Sequence, residues 1–289
     1  MQIKVHILKS FTNDRSQGNP VGIVFDADNL TDEQMMEIVQ KTGYSECAFI
    51  QKSDIATVKV RFFTPKKEMS LCGHATIALF HLLNPSESTK TLTQETLAGI
   101  LSVSKKDDGM IEMEQANPTF YQQEYELDTI AQLLGIASES IINVPIRVST
   151  GTPKLLVELK DIVALWSLNP NFESIKELVP TGVYAFVKIN DHFYNARQFN
   201  PSTGINEDPV TGIAAGALGA YLKQYFSIAM PIIVEQGHML GKIGQIYVDT
   251  CNGIKVGGYA VEAGHLIMDL HEKSLEVIRT ISYSSSSAK

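Results

Sequence analysis

Polar and apolar residues alternate from Met1 to Val5 and again along Val58–Phe63, the two-residue period of a strand with one buried face. Val5–Leu8 and Val21–Phe25 read as two strands around a turn-rich loop that contains Gly18-Asn19-Pro20. Thr31 with Gln34 three positions on predicts a capping box and a helix that ends near Gly43. Further strands are expected at Cys47–Ile50, Thr96–Val103 and Met110–Met113. Asn117-Pro118 reads as a hinge and Asp128–Gly135 as a short capped helix. In the second half, Arg147-Val148-Ser149 runs through the turn Gly151-Thr152-Pro153-Lys154 into Leu155–Leu159. Val183–Val187, Ile232–Glu235, Gly244–Val248 and Ile254–Val256 follow as strands.

Two segments break the amphipathic pattern. His74–Leu83, expected to stop before Pro85, and Val210–Leu222 are apolar nearly all round. A helix without a polar face must be buried on every side. Each is preceded by a copy of one motif: Arg61-Phe62-Phe63-Thr64-Pro65 and, 136 residues later, Arg197-Gln198-Phe199-Asn200-Pro201. So short a pattern recurs by chance in many chains, but the agreement of the flanking segments favours an architectural repeat. Continued without a gap, the copies place Cys72 on Asp208. The reading is a mixed α/β chain (α+β type) of two pseudo-symmetric domains, each a sheet wrapped around a central helix. The boundaries expected are 1–117 and 118–275, with 276–289 a tail whose serine run is low-complexity and disordered.

Composition narrows the function. Hydrophobic residues make up 44% of the 289 and charged residues 19%, as in an ordinary packed protein. The net charge of −8, with no basic run, argues against nucleic-acid binding. No stretch is apolar for long enough to span a bilayer, and the first residues read as a strand, not a signal peptide. Cys47, Cys72 and Cys251 cannot all pair and lack metal-ligand spacing, which predicts a reduced, cytoplasmic protein. No nucleotide fingerprint, P-loop or paired-histidine motif occurs. What remains is proton transfer by side chains.

Glu46 stands at the entrance to the apolar strand Cys47–Ile50. Burial there would raise its pKa and suit it to acid/base work, whereas a solvent-facing carboxylate is the commoner fate of such a residue. Asp208 before Pro209 reads either as a helix N-cap or as a group at an anion-binding helix start, and Glu207 beside it makes the loop acidic. Cys72 at the other helix start is a base or nucleophile of lowered pKa, or a small buried hydrophobe. Gly73 lets backbone approach a ligand, and His74 is either an anion contact or a satisfied first-turn histidine.

Gly18-Asn19-Pro20-Val21-Gly22, Ser45-Glu46-Cys47-Ala48-Phe49, Leu71-Cys72-Gly73-His74-Ala75-Thr76 and Glu207-Asp208-Pro209-Val210-Thr211-Gly212 together resemble the phenazine-biosynthesis PhzF-like isomerase family. Thr150-Gly151-Thr152-Pro153, Glu235-Gln236-Gly237 and Val256-Gly257-Gly258 extend the resemblance, which runs from about residue 5 to about residue 270. It implies the diaminopimelate-epimerase-like fold, with curved sheets around central helices and a site between the domains. It also implies a homodimer, a biosynthetic role, and no cofactor or metal. By the same resemblance the acid/base carboxylate falls on Glu46, the substrate-binding histidine on His74 and a second polar contact on Asp208. Related epimerases use a cysteine at each helix start, and Cys72 with Asp208 breaks that symmetry. Ile213 stands where many members carry serine, so the substrate is expected to differ from the one that names the family.

The resulting expectation is a cofactor-independent isomerase that shifts a carbon-bound proton on a small carboxylic acid. Glu46 and Asp208 are its catalytic candidates. Asn19, Cys72, Gly73, His74, Thr211, Gly212 and Ile213 are its substrate-binding candidates, with the helix-start N–H groups holding charge. A two-base amino- or imino-acid epimerase or dehydratase using Cys72 and Asp208 is the rival, and a metabolite-binding protein that lost catalysis is the third reading.

Overall fold

In a computed structural model the chain is described at residues 2–83, 91–122, 125–271 and 274–283; Pro85 and the serine run 284–287 lie outside them. It divides into two compact units, Met1–Met113 with Gly258–Lys289, and Glu114–Gly257.

In the first unit β1 (Gln2–Ser10) pairs antiparallel with β2 (Asn19–Val24), and β2 runs parallel to β3 (Cys47–Gln51) through α1 (Asp32–Thr42). The Thr31–Gln34 capping box is present, and Gly43 closes α1 in the left-handed region. β4 (Val58–Phe63) pairs antiparallel with β3 and with the short β5 (Glu68–Met69). After α2 (Gly73–Leu83), β6 (Thr91–Thr96) lies parallel to β4, and β7 (Gly99–Lys105) and β8 (Ile111–Glu114) follow antiparallel. What reads in sequence as one strand from Thr96 to Val103 is thus a hairpin, with Gly99 at φ 107° in its turn. Met35, Ile38 and Val39 of α1 cover one face of the sheet, packing with Val5, Val24, Phe49 and Phe63. Within the unit α2 packs against β1, β2, β3 and β7, and its residues 74–80 are all buried.

The second unit repeats this order. β9 (Thr119–Phe120) and β10 (Ile146–Ser149) flank α3 (Leu127–Leu134), and β10 pairs antiparallel with β11 (Lys154–Glu158). Two helices absent from the sequence reading, α4 (Ile162–Trp166) and α5 (Phe172–Leu178), connect β11 to its parallel neighbour β12 (Val183–Lys188). β13 (Phe193–Asn200) then pairs antiparallel with β12 and with β14 (Ile205–Asp208). After α6 (Gly212–Phe226), β15 (Ile232–Gln236) is parallel to β13, followed by β16 (Gly244–Asp249) and β17 (Lys255–Gly258). Helices α3, α4 and α5 bury one face of the sheet through Ile130, Leu134, Leu165 and Ile175, and α6 packs against β10, β11 and β16. Residues 214–222 of α6 are all buried, and most of them are small. A Cβ on Gly219 would lie 2.6 Å from Val248 Cγ1, so only glycine admits the sheet at that distance.

Register makes the repeat physical. Arg61 pairs with Phe49 and Arg197 with Ala185, so the spacing of 136 holds on both neighbouring strands. It then breaks. Phe63 lies opposite Glu68, but Phe199 lies opposite Glu207, because the turn at Pro201–Thr203 lengthens the second copy by three residues. The gapless alignment of Cys72 with Asp208 is therefore corrected: by register Asp208 corresponds to Met69, and Cys72 to Thr211.

Two further expectations change. The chain enters the second unit after Met113, not at Asn117-Pro118, and leaves it at Gly258, not at 275. Ala260–His271 pairs antiparallel along the whole of β1, and Ser274–Ser282 pairs with it in turn, so the supposed tail is strand as far as Ser282. Without that return β1 would present a row of unpaired backbone groups.

Each copy of the motif arginine makes the same clamp. Arg61 donates from Nε and Nη2 to Glu68 at 2.8 and 2.7 Å, and stacks 4.9 Å from the Phe63 ring. Arg197 donates to Glu207 at 2.9 Å from both nitrogens, stacks 4.9 Å from Phe199, and reaches the carbonyls of Leu165 and Leu168 at 3.2 Å. Arg197 is 8% exposed, and removing one partner of a buried ion pair strands the other charge. Arg197→Met is expected to cost about 3–5 kcal/mol in a urea melt. Arg61→Met, with its side chain 21% exposed, should cost clearly less; equal losses would remove burial as the cause.

Candidate active site

Three sequence candidates of the first unit converge. Glu46 ends the approach to β3, while Cys72 and His74 flank the first residue of α2; their exposures are 8%, 5% and 8%. His74 Nε2 lies 3.5 Å from Glu46 Oε2, an ion-pair separation, and among the described residues that oxygen accepts no hydrogen bond. Cys72 Sγ lies 3.4 Å from His74 Nδ1. Burial pushes the Glu46 carboxyl above its ordinary range, with a hydrogen bond from Ser45 pulling the other way. A buried acid beside an imidazole has the chemistry to take up and release a proton.

The helix start is rigid. Ser10 Oγ donates to the His74 carbonyl at 2.6 Å, and the Thr76 hydroxyl and N–H reach the Cys72 carbonyl at 2.9 and 3.0 Å. Asn19, 1% exposed, pairs with Ser10 across β1 and β2 and so shares the sheet face that carries Ser10. Among the described residues a Cβ on Gly73 would meet only Met113 Sδ, at 3.8 Å, so the first turn of α2 has room at its backbone there. The first N–H groups of a helix lack intrahelical partners and favour negative charge.

The remaining candidates form a second cluster, in the second unit. Asp208 ends β14 opposite Gln198 and is not the helix N-cap; Thr211 is. Strand pairing holds Asp208 extended, so the helix begins three residues later than an Asp-Pro start would place it. The Thr211 hydroxyl donates to Asp208 Oδ2 at 2.5 Å, and its N–H donates to Gln236 Oε1 at 3.1 Å. Tyr184 OH donates to the same Gln236 oxygen at 2.9 Å, and burial holds that phenol far above its usual range. Glu207 does not acidify the loop: Arg197 holds both its oxygens. Ile213 packs onto Gly151, its Cδ1 lying 2.8 Å from where a Cβ there would sit. Gly212, the first residue of α6, is buried.

Sequence reasoning missed Ser10, Lys154, Tyr184 and Gln236 as supports of these clusters. Gln236 stands in a motif segment and Lys154 at the end of a predicted turn, whereas Ser10 and Tyr184 are ordinary strand residues whose partners are set by pairing. The ligand atoms of Glu46, Cys72 and His74 all lie within 4.8 Å of one another, close enough for one metal ion to touch all three. Among the described residues no helix is long and apolar enough to cross a membrane.

Residues 8–264 match the family described as "Phenazine biosynthesis-like protein". The chain belongs to that family. The Bacillus subtilis relative named "Uncharacterized isomerase YfhB" is 37% identical over 83% of this chain and 88% of its own. A Bacillus anthracis PhzF-family crystal structure superposes with a TM-score of 0.85 at 31% identity, covering 93% of this chain and all of that one. A hydroxyproline epimerase from Agrobacterium vitis shares the fold, with a TM-score of 0.58 at 11% identity over 96% and 93% of the two chains. The protein is therefore an enzyme of the PhzF isomerase type, on a fold that it shares with an epimerase.

Burial of Glu46 has a consequence for stability. Its folded pKa is raised, so stability is fully present below the ordinary carboxylate range and is lost as pH rises toward the folded value. Glu46→Gln removes this loss. Thermal melts should show the variant gaining on wild type between pH 4 and pH 8; a constant difference would mean that Glu46 is solvated.

Proposed function

We propose that this family member is a cofactor-independent isomerase that moves a carbon-bound proton on a small unsaturated carboxylic acid, with Glu46 as its single acid/base. The observation that carries the reading is the buried Glu46 oxygen that accepts no hydrogen bond among the described residues, 3.5 Å from His74 Nε2. Glu46 takes a proton from one carbon, and the electron pair left behind delocalises into the neighbouring double bond. The Glu46 O–H bond then breaks as the proton is returned to a second carbon. One carboxyl serves both steps, so the proton balance closes without a second base. His74 holds the substrate and carries part of the developing charge, helped by the N–H groups at the start of α2. Asp208, Thr211, Gly212 and Asn19 are proposed as further substrate-binding residues, with Ile213 as an apolar one. We also propose a cytoplasmic homodimer.

A second reading draws on the 3.4 Å approach of Cys72 Sγ to His74 Nδ1, which suits an imidazole that takes the thiol proton. Cys72 would then be one base of an epimerase, with Asp208 the other.

Proton NMR in D2O, with a panel of amino, imino and dihydroaromatic carboxylic acids, separates the readings. Deuterium should enter one acid at carbon with wild type, and Glu46→Gln should slow this about 10²–10⁴-fold while binding persists. Cys72→Ser should cost little; if it is crippled and Glu46→Gln is not, the epimerase reading replaces the first. Dialysis against EDTA should leave exchange unchanged. A loss restored by zinc would instead make Glu46, Cys72 and His74 a metal site.

A further inference from the structure

The second unit contains a charge that the proposed reaction does not use. Lys154, the first residue of β11, is 3% exposed, and its Nζ donates to the Thr181 carbonyl at 2.8 Å. Strand register fixes the face it occupies. Leu156 pairs with Tyr184, Tyr184 with Gln198, and Gln198 with Asp208, so these four share one face. Lys154, two residues before Leu156, shares it too. The opposite face is the apolar one that Leu155, Val157, Val183 and Phe199 pack against α3–α5.

The groups around Lys154 are few and chemically distinct. Asp208 on β14 attracts the ammonium, and Tyr184 on β12 stays a neutral phenol. Glu158, four residues along β11, is bonded by Asn143 Nδ2 at 2.6 Å. Gln198 on β13 and Gln236 on β15 are neutral amides, 1% and 0% exposed. Thr211, Gly212, Ile213 and Ala214, at the start of α6, carry no charge. Gln236 Oε1 accepts from both Tyr184 and Thr211, which turns its Nε2 away, and among the described residues Nε2, Gln198 Oε1 and Thr181 Oγ1 are buried without partners. Of these residues, the charged groups on this face are Lys154, Asp208 and Glu158.

We propose that Lys154 is a positioning residue: its buried ammonium is the counter-charge that lets an ionised Asp208 share its cluster with an anionic substrate. A carboxylate brought beside Asp208 alone would meet like charge in a medium that screens poorly. With Lys154 protonated the Lys154–Asp208 pair is neutral before substrate arrives. Burial lowers the Lys154 pKa to about 8, against the pull of Asp208, so this neutrality is lost in mildly alkaline solution. That the substrate is a carboxylate at Asp208 rests on the function proposed above; the Lys154–Asp208 coupling does not.

The coupling is tested first, on the full chain without substrate. The Lys154 side chain is titrated by carbon-detected NMR in wild type and Asp208→Asn, and the Asp208 carboxyl in wild type, Lys154→Met and Lys154→Arg. The Lys154 midpoint should fall in Asp208→Asn. The Asp208 midpoint should rise by at least about half a unit in Lys154→Met and stay near wild type in Lys154→Arg. Midpoints that ignore the partner overturn the proposal, whatever the enzyme's substrate. With the acid that exchanges deuterium, Lys154→Met should raise KM about tenfold at pH 7 with kcat nearly kept. Wild-type KM should climb above pH 8, and in Lys154→Arg it should not. A fall in kcat at constant KM would assign Lys154 a structural role instead.

Discussion

The arginine–carboxylate clamp is the constraint that both units share. In each unit a strand arginine grips, with two parallel hydrogen bonds, a glutamate on the short antiparallel strand that follows. The planar guanidinium fits a carboxylate in one orientation, so the pair sets direction as well as distance. It fastens the end of a loop just where the chain turns into a buried helix. The period of two then decides what lies next to it. Glu207 points to the face that Arg197 occupies, so Asp208 must point to the other, toward the start of α6. In the second unit Asp208 thus sits one residue from the clamp and on the opposite side of the sheet.

The central helices impose the second constraint. A helix buried on all sides has to satisfy its first N–H groups without water. In α6 the N-cap N–H finds a glutamine carbonyl oxygen from a neighbouring strand. In α2 the first turn is kept open by Gly73, and the buried carboxyl of Glu46 and imidazole of His74 stand beside it. Burial raises the carboxyl toward useful acidity and at the same time costs stability when it ionises. The surrounding packing must offset that cost, and the fully buried run 74–80 of α2 lies directly behind it.

The two units are similar in topology and different in chemistry. A three-residue extension of one turn moves the helix start relative to the strand, so the position of Cys72 is taken by a threonine and Asp208 has a methionine as its counterpart. One unit carries a carboxyl, thiol and imidazole in contact; the other carries a carboxylate, an ammonium and two amides. Such divergence follows when sheet and helix are constrained by packing and the connecting loop is not.

The sequence by itself determined many of the strands, the two apolar helices and the 136-residue repeat, and it named the candidate residues. These are local or periodic properties: which side chains avoid water, at what spacing, next to which turn residues. Glu46 and His74 were legible because their segments resemble a family, and Asp208 because it opens an apolar run. Only the tertiary structure decided the rest. Whether Glu46 is buried depends on what packs over it, and whether Glu207 is a free acid depends on an arginine ten residues earlier in a paired strand. The return of 260–271 along β1 and the place of Lys154 on the face of Asp208 are matters of register between distant strands. Strand pairing joins residues far apart in the chain, and the identity of neither partner alone specifies it.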